Sequence, residues 1–464
     1  MGDQKFSDHI VAIPFPGRGH INPLMNLCKI IAMAKPQVVI TFVVTQEWKG
    51  FLSSDAMPEN VRFGCIPNVL PSETIRSKDY PCFIRAVYTD MEAPVDRLLD
   101  AVQAPAASVI ISDVLLTWAL GVGNRRNIPV ASFWCGSVTV FSLCFHRQLL
   151  AVNGHFDANL SEKGEEVVDY IPGVSSMLVK DLPPTFHCKL PPVLAVRSHF
   201  LGAFSAAQRA QYLLFTSIAE LESPAIEALR AKHQTPIYSI GSAIPYFYSN
   251  QSCPDYLSWL DAQPACSVLY ISQGSYMSLS DKQVEEIIAG VHESGVRFFW
   301  VARENTERLR ENGGGGKQGL IVPWCDQLRV LRHRSVGGFW THCGWNSIKE
   351  GAFAGVPFLA FPIARDQITN SKQIVEDWKI GWSVRKINNN DGGGIVKRGE
   401  IAQLVRRFMD FECDNESKEL RRRAKEIGEM CRESTESGLA KRDLQTFIED
   451  VLGSRNYIPK NASS

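Results

Sequence analysis

Histidine, asparagine and serine gather on one short turn of this chain, Thr341-His342-Cys343-Gly344-Trp345-Asn346-Ser347. The run SVGGFW before the turn reads as a strand, and Asn346–Ala354 after it as a helix. A helix start presents free backbone N–H groups and the positive end of a dipole, worth roughly 0.3–1 kcal/mol to an anion and about 2 kcal/mol when partly buried. Gly344 and Cys343 keep the turn slim enough for an oxyanion to approach. Phosphate binding is the chemistry that suits this arrangement. Taken singly, Asn346 or Ser347 is as well explained as a helix N-cap, and His342 as a hydrogen-bonded core histidine. Their grouping in one strand–turn–helix unit is what points to a site.

A second constellation lies in the first half. After the strand-like HIVAIPF comes PGRGHINP, Pro16–Pro23, in which Asn22 as N-cap and Pro23 at the first helical position account for an ordinary turn. His20 has no part in that account. A histidine at a strand's C-terminal edge titrates near neutral pH and suits a general base. Asp113 ends the run SVIIS, and parallel strands bring their C-terminal ends together, so its carboxylate is placed to fix the other ring nitrogen and stabilise an imidazolium. Alone, Asp113 reads equally well as a helix cap. Gly274 and Ser275 follow SVLYIS at another strand end, where backbone and hydroxyl suit a phosphate. No D-x-D triplet occurs, so no metal bridging a pyrophosphate is expected, and GVGNRR sits within a helical pattern instead of a dinucleotide-binding turn.

These groups need a frame to bring them together. With 464 residues, two domains are the natural expectation. Apolar runs alternate with helical patterns up to PIYSIG, pause over GSAIPYFYSNQSC, and restart at SVLYIS, which gives an α/β reading with parallel sheets in two units. The expected division is 1–240, a linker 241–254, 255–438, and a C-terminal helix and tail 439–464. Helices are expected over Phe83–Val102, through Leu150 and over Ile368–Trp378, with a proline-rich surface loop over 170–200 and flexible connections at Gly313–Gly316 and Asn388–Gly394.

Lys+Arg and Asp+Glu are both 49, so no net field favours nucleic acid or an anionic membrane. The 12 cysteines show no metal-type spacing and read as reduced thiols. No run approaches the roughly 18 apolar residues of a membrane span, and the expectation is a cytoplasmic monomer. Arg421-Arg422-Arg423 reads as a solvated helix face.

From Trp324 to Gln367 the chain resembles, over its whole length, the signature box of plant family-1 UDP-dependent glycosyltransferases: Trp324, Gln327, His333, THCGWNS, Glu350, Gly355-Val356-Pro357, Pro362 and Asp366-Gln367 all stand in register. PGRGHINP, WCDQLRVL, IVEDW and RRFMD are similar to the 87A-like group within it. The resemblance implies a GT-B fold, two Rossmann-like domains facing a cleft, with an acceptor site in 1–240 and a UDP-sugar site in 255–438.

It further implies that Trp324 stacks on uracil, the Cys325 backbone meets its edge, and Gln327 and Glu350 hold the ribose. By the same resemblance His342, Asn346, Ser347 and Ser275 contact the pyrophosphate, while Trp345, Asp366 and Gln367 read the sugar. Gln367 goes with UDP-glucose in the family, and no cofactor is implied beyond that donor. Arg365 departs from the pattern and is expected either to bind a carboxylate or to pair with Asp366.

The activity implied is inverting, metal-independent transfer of glucose to a hydroxyl or carboxyl of a small lipophilic metabolite. Phe15, Trp134, Phe141 and the 170–200 loop are expected around the acceptor. The competing readings are a non-catalytic UDP-sugar binder and the same transfer from another UDP-sugar.

Overall fold

Valine, isoleucine and phenylalanine fill the strands of two separate all-parallel sheets. Strands Val38–Thr45, Val109–Asp113, Val130–Trp134, Val268–Ser272 and Val336–Thr341 are buried at every residue, as strands covered by helices on both faces must be. The computed structural model describes residues 6–52, 57–73, 76, 79–102, 105–241, 244, 255–274, 279–302, 318–384, 394–412 and 414–453. Ser275, Gly313–Gly316 and nearly all of the expected linker 241–254 and connection 388–394 lie outside the described residues.

The first sheet contains β1 (Asp8–Ile13), β2 (Val38–Thr45), β3 (Val61–Ile66), β4 (Val109–Asp113) and β5 (Val130–Trp134). After the two-residue hairpin of β6 (Val167–Val168) and β7 (Met177–Leu178), β8 (Tyr212–Phe215) and β9 (Ile237–Ser239) complete it in the order β3-β2-β1-β4-β5-β8-β9. The second sheet holds β10 (Val268–Ser272), β11 (Arg297–Val301), β12 (Gly319–Val322), β13 (Val336–Thr341), β14 (Phe358–Ala360) and β15 (Gly381–Ser383), ordered β12-β11-β10-β13-β14-β15. In each sheet the winding reverses once, between β1 and β4 and between β10 and β13. Connections diverge at such a point and open a crevice at the strands' carboxyl ends. Pairing of Ile13 with Ser112 and of Ser272 with Thr341 sets the ends of each pair level.

The last helix, Leu439–Gly453, returns to the first sheet: Phe447, Ile448 and Val451 enter its core beside Tyr238. Asp443 accepts from the Ser239 N–H at 2.7 Å and from Arg230 at 2.9 Å, and Tyr238 donates to Asp450. Among the described residues, no helix is long and apolar enough to cross a membrane.

Several local expectations need correction. The first helix spans Arg18–Ala34 with Gly17 as N-cap, so Asn22 and Pro23 lie inside it and His20 sits in its first turn. Phe83–Val102 is two helices, Tyr80–Thr89 and Glu92–Asp100, and the stretch through Leu150 is likewise broken. The 170–200 region ends in a helix, Pro191–Ala206, started by its first-turn prolines, whereas the proline-bearing stretch before it holds only a short strand and two 3-10 turns. Ile368–Trp378 begins one residue earlier and widens into a π-helical turn over Gln373–Asp377. Arg421 is no solvated residue: it donates to the Gly337 carbonyl at 2.6 Å beneath the second sheet.

Candidate active site

His20 and Asp113 meet across the β1–β4 crevice. Asp113 Oδ2 lies 2.7 Å from His20 Nδ1, and its other oxygen accepts the Leu115 N–H at 3.0 Å, which aims the carboxylate. The Asp113 side chain is 0% exposed and that of His20 23%, so only the imidazole reaches the cleft. In the neutral ring a carboxylate at Nδ1 holds the proton there and leaves the Nε2 lone pair to accept another, and the same carboxylate favours the imidazolium once that proton arrives. Phe15 flanks the ring, with centroids 4.9 Å apart. Cys135, which the sequence leaves among the reduced thiols, places its sulfur 3.2 Å from the same Nδ1. Burial disfavours the imidazolium, but Cys135 and Asp113 outweigh it and hold His20 well above the usual histidine range.

On the facing half, the helix of the phosphate turn runs from Trp345 to Ala354 with Gly344 as N-cap. Glycine has no capping side chain, and among the described residues no other side chain accepts from the first N–H groups of this helix. Asn346 and Ser347 are therefore not caps. His342 packs against the turn so closely that a Cβ at Gly274 or Gly344 would lie 2.6 or 2.4 Å from its Nε2. Gly274 also has φ +81°, where side chains are strained. Burial lowers His342 to about 4, partly offset by the Ser272 backbone, and its Nδ1 is buried without a hydrogen-bond partner among the described residues. The ring is thus a neutral donor or acceptor, not a fixed cation.

Beside it, Gln327 donates to Glu350 Oε2 at 2.7 Å and to Ser347 Oγ at 3.0 Å, and accepts from Tyr270 at 3.0 Å. Burial pushes Glu350 up to about 7, so a diol donating to this carboxylate would relieve an uncomfortable charge. Trp324 is 60% exposed, the condition a stacking indole needs, while Cys325 is buried with its sulfur 3.6 Å from the Tyr270 hydroxyl.

Gln367 receives the Ile363 and Ala364 N–H groups on Oε1 at 2.8 and 2.9 Å, which commits its oxygen and leaves its NH2 to a ligand. Burial raises Asp366, against an Asn370 amide at 2.8 Å and the charges of Arg365 and His20. The influence of His20 on Asp366 sets these two residues within one electrostatic neighbourhood. The indole of Trp345 is unavailable to a sugar: it is 4% exposed, and its Nε1 donates to the Thr216 carbonyl at 3.0 Å. Only the Trp345 backbone, at the helix start, remains for a ligand.

The two halves are tied at the site itself. Pro23 has no N–H to satisfy the Gly19 carbonyl four residues earlier, and Asn346 Nδ2 fills that vacancy across the cleft at 2.8 Å. Buried Glu222 accepts from the Val138 and Thr139 N–H groups at 3.1 and 3.0 Å, from Ser217 at 2.6 Å, and from Gln373 of the other half at 3.1 Å. Arg365 reaches the opposite half: its guanidinium lies 4.6 Å over the Tyr80 ring and donates to the Tyr80 hydroxyl at 3.2 Å, while its charge also acts to lower Asp366. Phe141, expected near the acceptor, is wholly buried among Trp134, Phe204 and Phe215.

Lys349 was not singled out by sequence. It is 2% exposed, and no hydrogen bond or ion pair holds its ammonium among the described residues. Burial lowers it to about 8, with Cys135 and Glu350 acting the other way. Its only sequence signal is a charge at an apolar-periodic position of the Trp345–Ala354 helix.

Two parallel Rossmann-like sheets, each presenting its switch point to one cleft with a histidine–aspartate pair on one side and an uncapped helix start on the other, make a GT-B fold. The family profile described as UDP-glucoronosyl and UDP-glucosyl transferase matches residues 252–391. UDP-glycosyltransferase 87A2 of Arabidopsis thaliana is 46% identical over 448 residues, 96% of each chain. The chain belongs to the plant family-1 UDP-glycosyltransferases and is an enzyme of that class. The structure of Medicago truncatula UGT71G1 complexed with UDP-glucose shares the fold, with TM-score 0.79 over 97% of this chain and 99% of that one at 24% identity. Os79 from O. sativa, solved with a trichothecene, has TM-score 0.80 and 27% identity, covering 95% and 100%.

Proposed function

We propose that this protein transfers glucose from UDP-glucose to a hydroxyl of a small lipophilic metabolite, with inversion and without a metal. The observation that carries the reading is the His20–Asp113 pair, 2.7 Å apart, with Nε2 left free toward the cleft. His20 accepts the acceptor's proton as its oxygen attacks the anomeric carbon from the face opposite UDP. The carbon–oxygen bond to UDP breaks as the new one forms, so an α-linked donor yields a β-glucoside. Asp113 stabilises the imidazolium and is not itself protonated.

Charge developing on the departing diphosphate falls to His342 and the uncapped start of the Trp345–Ala354 helix. Trp324 stacks on uracil, Cys325 meets its edge through the backbone, Gln327 and Glu350 hold the ribose, and Asn346, Ser347 and Ser275 meet the phosphates. Asp366 and the free NH2 of Gln367 read the hexose. Support for glucose comes from UDP-glucose in the Medicago structure and from Gln367, and support for a lipophilic acceptor from the Phe15–Phe83 wall beside His20 and the trichothecene bound to Os79.

The test incubates the protein with UDP-glucose and a panel of phenols and terpenoid alcohols, following UDP release and the anomeric coupling of the product. A β-glucoside is expected; an α-glucoside, or tight UDP-glucose binding with no turnover on any acceptor, would overturn the proposal.

A further inference from the structure

Two donors crowd one face of the proposed base. His20 Nδ1, Asp113 Oδ2 and Cys135 Sγ all lie within 4.8 Å of one another, with Nδ1 2.7 Å from the oxygen and 3.2 Å from the sulfur. Imidazole, carboxylate and thiolate are the ligand types that zinc takes, and three protein ligands with one open position is a familiar zinc arrangement. Around a tetrahedral zinc these donors would stand about 3.3–3.5 Å apart, so the nitrogen withdraws about 0.6 Å from the oxygen and about 0.3 Å from the sulfur while sulfur and oxygen close up. The three side chains come from different segments, the first turn after β1 and the ends of β4 and β5, which explains why no Cys/His spacing announces them.

We propose that His20, Asp113 and Cys135 form an inhibitory site for a thiophilic divalent cation, with Zn2+ as the type ion. Coordination releases the Cys135 thiol proton to solvent and moves the ring proton of His20 from Nδ1 to Nε2. The metal takes the Nδ1 lone pair, and Nε2 becomes an N–H with no lone pair to receive the acceptor's proton. Two anionic ligands and one neutral ligand balance the ion's charge. Of the charged groups around the trio, Lys349 opposes a cation and Asp366 favours one. The ion enters from the cleft, since His20 is the exposed member and Asp113 is fully buried. Binding stands on the geometry alone; inhibition rests on the reading of His20 as base.

Titration of the full chain with Co2+ in place of zinc reads the site directly. One equivalent is expected to give a thiolate-to-cobalt charge-transfer band that Zn2+ abolishes and that Cys135→Ser lacks. In turnover assays Zn2+ is expected to inhibit the unaltered chain at least tenfold more strongly than Cys135→Ser. If that variant folds poorly by circular dichroism, Cys135→Ala replaces it. A band of equal strength in the variant, no band in the parent chain, or equal zinc sensitivity of the two would overturn the proposal. The band is observable whether or not an acceptor is turned over, so failure of the metal site and failure of the glucosyltransferase reading are separate results.

Discussion

Replacing Lys349 with methionine should stabilise the fold, and by an amount that depends on pH. The side chain is 2% exposed, and burial lowers its ammonium from 10.5 to about 8. At about 1.4 kcal/mol per tenfold change in proton affinity, the charge costs the folded state about 3 kcal/mol near pH 7. The unfolded chain holds this proton more tightly than the folded one, so the cost is full below about 8 and fades as pH rises toward 10.5. Methionine keeps the length of the buried stem and removes the charge.

Urea unfolding of both proteins, followed by tryptophan fluorescence, should show Lys349→Met more stable by about 3 kcal/mol near pH 7, with the gap below about 1 kcal/mol near pH 10. A methionine variant no more stable at neutral pH, or a gap that does not shrink on going alkaline, would show that burial does not penalise the ammonium.

Asn346→Ala removes the donor that serves the Gly19 carbonyl, and turnover should fall about tenfold, as a lost hydrogen bond of about 1.4 kcal/mol between the two halves implies. Pro23→Ala restores a helical N–H to that carbonyl, so the double variant should lose less than the two single losses combined, which a double-mutant cycle in kcat measures. Gly344→Ala drives a Cβ to 2.4 Å from His342, and KM for the UDP-sugar should rise at least about tenfold with little change in thermal stability; an unchanged KM would remove His342 from the donor site. Glu222→Ala strips a buried carboxylate from four donors on both halves and should destabilise the protein by about 3 kcal/mol in the same urea assay.

Much of this architecture is legible in the chain because parallel strands buried on both faces leave continuous apolar runs. SVLYIS and SVGGFW are strands where the pattern sets them, and strand-end polar residues such as His20, Asp113 and His342 fall at the crevices. Contacts made across the cleft are what local pattern could not give. Pro23 reads as a helix start because proline is at home there; its real place, five residues inside the helix, is tolerable only because Asn346, far away in sequence, takes up the carbonyl it strands. Trp345 has the same residue type whether it faces a sugar or the Thr216 carbonyl, and only packing of the two halves decides. Cys135 and Lys349 carry no motif, and their chemistry arises from neighbours brought in by the fold. In sequence Arg365 reads against its neighbour Asp366, and the fold adds Tyr80 of the opposite half, which no local pattern could show.

The central claim is that the His20 imidazole, oriented by Asp113, takes the acceptor's proton. It is tested most directly by the turnover of His20→Ala on an acceptor alcohol of high pKa, with UDP-glucose affinity measured alongside. The account predicts a loss of about 10²–10⁴ in kcat with donor affinity retained. Turnover equal to that of the unaltered enzyme would contradict it.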